Sequence, residues 1–130
     1  MRPVALALAL AATVAIGASA EAQSTAVQRT TLQTEDFPVP LHTITVRIEF
    51  PRGALVAPHT HPGVEMGYVV SGQAQVTIAG AAPMTLKAGD SFKVAPDTVH
   101  SVANTGTGQL VVLSTYVVDP KKPLATPASR

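Results

Sequence analysis

The chain of 130 residues has no cysteine, and only 4% of its residues are aromatic. Without cysteine, disulfides cannot stabilise the protein and a Cys-His nucleophilic pair is excluded. No Ser-His-Asp arrangement is apparent either, which argues against covalent hydrolysis. The 9 Lys and Arg residues nearly balance the 8 Asp and Glu residues, and there is no basic run or acidic tail. Nucleic acid and anionic membrane surfaces are therefore poor candidate partners.

Long hydrophobic runs are also scarce, and the one candidate lies at the N-terminus. Residues 3–17 are rich in Ala, Leu and Val, follow Arg2 and precede the small residues Ala18-Ser19-Ala20. This order is typical of a secretory signal peptide over residues 1–20, and the run is short for the alternative, a membrane anchor. Cleavage after Ala20 is favoured, and Ala22 offers a second site. The segment looks bacterial, so we expect a periplasmic or secreted protein without stable membrane insertion.

The rest of the chain has the pattern of an all-β domain. Removing residues 1–20 leaves 110 of the 130 residues, which is enough for one domain. Residues 42–50 alternate strictly between apolar and polar side chains, and 11 prolines and 9 glycines punctuate the sequence. Further strands are expected at residues 64–70, 73–79, 84–87, 91–95, 99–104 and 109–118. About eight short strands at regular spacing indicate a sandwich or a barrel.

Three of the four histidines form a pattern that suits a metal site: His59, His61 and His100, together with Glu65. Because strand side chains alternate, His59 and His61 should project to one side, about 6.6 Å apart along the strand. Four ligands leave coordination positions open for water, oxygen or substrate, which is typical of a catalytic site. The ordinary alternative is that these histidines are structural residues whose polar atoms are hydrogen-bonded within the fold. This donor set suits divalent Fe, Mn, Ni, Cu or Zn without selecting among them.

The residues around these ligands match a known motif. Residues 53–72 spell G-x5-H-x-H-x3-E-x6-G, which resembles the first motif of the cupin superfamily. The second cupin motif is matched in part by Gly89, His100 and Asn104. It departs at Pro96, which comes one position late, and at Asp97, which replaces a glycine. Asp tolerates the left-handed conformation, so we expect the turn before His100 to form.

The resemblance implies an all-β fold, a single-domain cupin jelly-roll β-barrel. Its expected divisions are a signal peptide at 1–20, an N-terminal arm at 21–41, the barrel at 42–118 and a flexible C-terminal tail at 119–130. The ligand set is similar to that of quercetin dioxygenases, which implies a metal-dependent dioxygenase-type oxidoreductase with Glu65 as both ligand and base. The alternatives are a non-catalytic periplasmic protein that binds a metal or small ligand, and an isomerase or decarboxylase using the same pocket. Related small cupins also commonly form homodimers.

Strand alternation predicts which side chains enter the cavity. If the ligands face inward, so should Leu55 and Ala57, whereas Arg47 and Lys93 should face outward. The cavity is then apolar apart from the metal, with no guanidinium or ammonium to hold an anion. This favours a small neutral aromatic or enolic substrate. Tyr68 should also face outward, where it suits a subunit interface.

Overall fold

Ten β-strands make up the fold in a computed structural model, which describes residues 26–36 and 39–129. The expected signal peptide and its cleavage sites lie outside these residues. The strands are β1 (Gln28–Asp36), β2 (His42–Phe50), β3 (Leu55–Thr60), β4 (Gly63–Ser71), β5 (Gln73–Ile78), β6 (Met84–Lys87), β7 (Ser91–Val94), β8 (His100–Asn104), β9 (Leu110–Val118) and β10 (Thr126–Pro127). Over the described ranges, no helix is long and apolar enough to cross a membrane.

The strands form two antiparallel five-stranded sheets. One sheet has the order β1-β2-β9-β4-β7 and the other β10-β3-β8-β5-β6, so neighbouring strands often come from distant parts of the sequence. The expectation of an all-β jelly-roll barrel is confirmed. Sheets of this kind pack their inner faces together, which leaves a space between them that side chains or a ligand can fill.

The core follows the alternation along the strands. On β4, Glu65, Gly67 and Val69 are buried while the residues between them are exposed. On β9, the inward positions include Leu110 and Val112, which are at most 1% exposed. Each fully buried aliphatic side chain contributes roughly 1.5–3 kcal/mol. In the absence of cysteine, this two-sheet core holds the ligand-bearing strands in place.

The alternation fails on β3, where Leu55 was expected to face inward. Leu55 is 49% exposed, and Val56 lines the cavity in its place. The pairing of β3 with β8 shifts register between Val56 and His59, in a segment that contains Pro58. Such an irregularity inserts an extra residue and reverses the inward face of the strand. The inward assignment of Leu55 was therefore wrong, although the histidines still face the interior.

Two segments outside residues 42–118 also join the sheets. Strand β1 pairs with β2 over Gln28–Asp36, with a register shift between Thr31 and Gln33. Near the C-terminus, Thr126 and Pro127 pair with Thr60 and His59 of β3. Strand β10 therefore lies directly beside His59, whereas β1 lies at the edge of the sheet that carries Glu65.

Two polar residues of the second motif shape the loops near His100. Asp97 has a φ of 55°, the left-handed conformation expected where the motif has glycine. Asn104 is buried, and its amide donates to the carbonyls of Phe50 at 2.9 Å and Gly108 at 2.8 Å. Its side-chain oxygen accepts from Gly106 N at 3.0 Å. Asn104 thus ties the end of β2 to the turn at residues 106–108 and does not line the cavity.

Candidate metal centre

The two sheets bring the four predicted ligands together. His59 ends the inward part of β3 and pairs directly with His100, the first residue of β8. His61 follows β3 in the connection to β4, while Glu65 projects from β4 in the opposing sheet. The ligand nitrogens of the three histidines lie within 4.8 Å of one another. The fourth histidine, His42, lies elsewhere and pairs with Asp36.

Each of the three rings is oriented by a backbone carbonyl. Nδ1 of His59 donates to Ala57 O at 2.8 Å, and Nδ1 of His100 donates to Thr98 O at 3.0 Å. Nδ1 of His61 donates to Leu124 O at 2.6 Å. Because a carbonyl can only accept, all three rings carry hydrogen on Nδ1, and a neutral ring then presents a lone pair at Nε2. Metal-ligating histidines are held in the same way.

The Nε2 atoms converge with one oxygen of Glu65. His59 Nε2 lies 3.2 Å from His61 Nε2, and Glu65 Oε2 lies 3.2 Å from His61 Nε2 and 2.9 Å from His100 Nε2. Lone pairs and a carboxylate at these distances repel each other unless a cation or protons lie among them. Three imidazoles and a carboxylate are also ligands that divalent transition metals prefer. The donor set therefore fits a divalent transition metal ion.

Glu65 is held in its ionised form. Burial acts to raise the pKa of its carboxyl, but hydrogen bonds from His100, His61 and Ser114 dominate and hold that pKa well below its usual range. Ser114 Oγ donates to Glu65 Oε1 at 2.7 Å, which leaves Oε2 directed at the histidines. Glu65 is only 3% exposed, so its charge is poorly screened by solvent. A buried carboxylate fixed through one oxygen is a suitable metal ligand.

His59 and His100 differ in their affinity for a proton. Burial lowers the pKa of His59, which favours the neutral ring. Burial acts in the same direction on His100, but the hydrogen bonds to Glu65 and to the Thr98 carbonyl outweigh it and raise the pKa. The contact between His100 Nε2 and Glu65 Oε2 therefore favours a proton on this nitrogen. A metal that takes this position must displace that proton.

The ligands lie at a cavity of about 290 Å³ between the sheets. Apolar side chains of both sheets line most of it: Val46, Ile48, Phe50, Val56, Phe92, Val102 and Val112. Tyr116 also lines it, and its ring lies edge-on to His61 with centroids 4.7 Å apart. Burial raises the pKa of the Tyr116 hydroxyl, and the charge of Glu65 adds to this effect. Tyr116 therefore stays neutral and can act only as a hydrogen-bonding group.

The expectation that no guanidinium reaches the cavity was wrong. Arg47 and Lys93 do face away, as expected, and Arg47 pairs with Glu49 at 2.9 Å. However, Arg29 of β1 lines the cavity. Strand β1 has one apolar residue, Leu32, so no apolar-polar period in the sequence indicates its inner face, and its pairing with β2 also shifts register.

Two other contributors were not identified from the sequence. Ser114 is a small polar residue at an inward position of β9, where the inward neighbours Val112 and Tyr116 are large, and this break in the apolar face is a sequence signal that could have identified it. Leu124 contributes through its backbone carbonyl, which no side-chain pattern can reveal. Leu124, Ala125 and Pro127 also line the cavity. The cavity is therefore lined by residues from both ends of the described chain, Arg29 near one end and Leu124, Ala125 and Pro127 near the other.

Comparisons with known proteins agree with this architecture. A family model described as a cupin domain matches residues 46–116. A comparison with curated protein sequences gives no significant match. Among solved structures, a cupin-like protein from Thermotoga maritima is 24% identical, with a TM-score of 0.68 over 79% of this chain and 76% of that chain.

Two further structures share the fold. KdgF from Halomonas sp. is 27% identical, with a TM-score of 0.58 over 74% of this chain and 83% of that chain. An oxalate oxidase is 22% identical, with a TM-score of 0.59 over 66% of this chain and 46% of that chain. This chain thus corresponds to less than half the length of that oxidase. From the match over residues 46–116 and the shared two-sheet barrel, the chain belongs to the cupin superfamily.

Proposed function

We propose that the protein is an exported metal-dependent oxidoreductase of dioxygenase type, acting on a small aromatic or enolic substrate. The observation that carries this proposal is the convergence of three Nε2 atoms and Glu65 Oε2 at the cavity. His59, His61, Glu65 and His100 would hold one divalent transition metal ion. Four protein ligands leave coordination positions for substrate and oxygen. The fold is similar to that of an oxalate oxidase at 22% identity, which supports only that a barrel of this kind can carry oxidase chemistry.

The residues of the chain have separate roles in this proposal. A bound ion would supply Lewis acidity toward an oxygen-donor substrate and redox chemistry with O2. Glu65 accepts the proton of the enol or phenol, because it is ionised and held at the ligand cluster by Ser114. The apolar walls exclude water, which strengthens each electrostatic interaction inside the cavity. Tyr116 remains neutral and can donate a hydrogen bond to the substrate.

A second candidate is a non-catalytic protein that binds a metal or a small ligand. The observation in its favour is the small number of other ionisable groups in the cavity. Beyond the four ligands, the described lining residues include only Arg29 and Tyr116 as titratable side chains. If the carboxylate of Glu65 is already engaged as a metal ligand, few of these side chains remain for proton transfer.

Metal analysis is the first test. The purified protein should carry about one divalent ion per chain, and the His59→Ala/His61→Ala variant should carry almost none. Oxygen-electrode assays then compare Fe-, Mn-, Ni- and Cu-reconstituted protein with flavonols, catechols and diketones. Glu65→Gln should retain metal but lose oxygen uptake, whereas Glu49→Gln on the outer face should behave as wild type. Tight metal binding without any oxygen uptake favours the binding protein, and negligible metal in the wild type rejects both candidates.

We also propose a homodimer formed through the outer face of the sheet that contains β4. Met66, Tyr68 and Val70 of β4 are 46%, 48% and 40% exposed, and Tyr68 pairs across the sheet with Leu113. Exposed apolar side chains in a row on one face are typical of an interface. Light scattering should give a dimer for the wild type and a monomer for Met66→Glu/Tyr68→Glu. Leu55→Glu, on the other sheet, is the control, and a monomeric wild type contradicts the proposal.

A further inference from the structure

Arg29 is directed at the cavity by its place in the sheet. It pairs with Ile48 across the β1–β2 ladder, and residues paired across antiparallel strands project from the same face. Ile48 is buried and lines the cavity, as Arg29 does. Arg29 is itself exposed, so it lies where the cavity opens to solvent. The adjacent Arg47 projects from the opposite face.

Arg29 also has no anionic partner in residues 26–36 and 39–129, since none of the ion pairs there includes it. The outward-facing Arg47, in contrast, pairs with Glu49. The one carboxylate of the cavity, Glu65, has both oxygens engaged by His61, His100 and Ser114. The guanidinium of Arg29 is therefore left to interact with a ligand.

The charge of the cavity favours an anion. A divalent ion held by one carboxylate and three neutral imidazoles has a net charge of about +1, and Arg29 adds a second positive charge. The neutral substrate expected from the sequence would leave the charge of the metal site without an anionic partner inside the apolar cavity, which counts against it.

We propose that Arg29 binds a carboxylate group of the substrate, so that the substrate class is a small organic acid. The inference rests on the proposed function, because an aromatic or enolic oxygen of the same molecule binds the metal. A guanidinium matches a carboxylate through two parallel hydrogen bonds, which makes it selective for this group. The volume of about 290 Å³ and the apolar walls require a compact body between the two polar ends. A single guanidinium does not suit nucleotide-sugars or other polyanions.

The test uses three probes that share an ortho-diol for the metal. Catechol has no carboxylate, protocatechuate carries one on the ring, and dihydrocaffeate carries one on a flexible two-carbon arm. Affinities are measured by titration calorimetry with the mature protein loaded with Zn(II), which is redox-inactive. Wild type should bind at least one acid about 10- to 100-fold more tightly than catechol. Arg29→Gln should lose that preference with catechol affinity unchanged, Arg29→Lys should keep part of it, and Arg47→Gln should behave as wild type.

The outcomes separate this inference from the proposed function. If catechol binds but neither acid is preferred, or if Arg29→Gln keeps the preference, the role of Arg29 is overturned and the metal function stands. If no probe binds the Zn(II)-loaded protein, both are overturned. Thermal unfolding of each variant checks that the exposed β1 position tolerates the change, and Arg29→Lys provides the comparison with the charge retained.

Discussion

The three histidine ligands differ in which backbone carbonyl orients the ring. This difference predicts that metal affinity depends on the C-terminal residues. His59 and His100 donate to carbonyls two residues away, within their own segments. His61 donates to Leu124, 63 residues away in the sequence. We call residues 119–129 the C-terminal strap. It is anchored by Asp119 N to Pro62 O at 3.1 Å and by Ala128 N to Pro58 O at 3.0 Å, with β10 paired to β3 between them.

Ending the chain after Lys122 removes the Leu124 carbonyl and the β10 pairing. His61 then loses the acceptor that keeps its hydrogen on Nδ1, so its Nε2 lone pair is no longer fixed toward the other ligands. Loss of such a partner typically weakens metal binding by about 10- to 100-fold, or ~1.4 to 2.7 kcal/mol. The sheets themselves should remain folded, because β10 is a two-residue edge strand.

Competition with a chromophoric chelator measures the affinity, and ¹⁵N NMR reports the tautomer of each histidine. The truncated protein should show a mixed tautomer at His61 but not at His59 or His100. Leu124→Ala is the matched control, since it removes the side chain but retains the carbonyl, and it should bind metal nearly as wild type. Equal metal affinity in the truncated and complete proteins would refute the role of the strap.

Three further predictions concern the fold and the site. Gly67→Ala places a Cβ 2.2 Å from ring atoms of buried Phe92, so urea unfolding should show a free energy of unfolding lower by about 1–3 kcal/mol. The double variant Gly67→Ala/Phe92→Leu should largely recover this loss. If it does not, the strain lies elsewhere. Asn104→Ala leaves buried backbone carbonyls without a donor and should lower the free energy of unfolding by about 2–4 kcal/mol in the same assay. No change would mean that water replaces the amide. Metal affinity should weaken as pH falls, starting above the ordinary histidine value of about 6.5, because the pKa of His100 is raised and its proton competes for Nε2. Chelator competition across this range checks the sign, and a constant affinity contradicts it.

Much of the fold was predictable because it depends on local alternation. The strict period of residues 42–50 matches β2, and the inward positions of β4 include Glu65, Gly67 and Val69 as expected. The prediction that Leu55 faces inward failed because β3 shifts register beside Pro58, and the apolar pattern of the sequence does not reveal this shift. Alternation therefore predicts a strand's inner face only where its pairing is regular.

The sequence by itself determined the identity of the four candidate ligands, because their spacing and residue types are properties of short segments. Only the tertiary structure paired His59 with His100, brought Leu124 O to His61 and placed Arg29 at the cavity. These contacts join strands far apart in sequence, and one of them uses a backbone carbonyl that every residue possesses. Which carbonyl or guanidinium reaches the site depends on strand order and register, which are set when the two sheets pack and not by any local pattern.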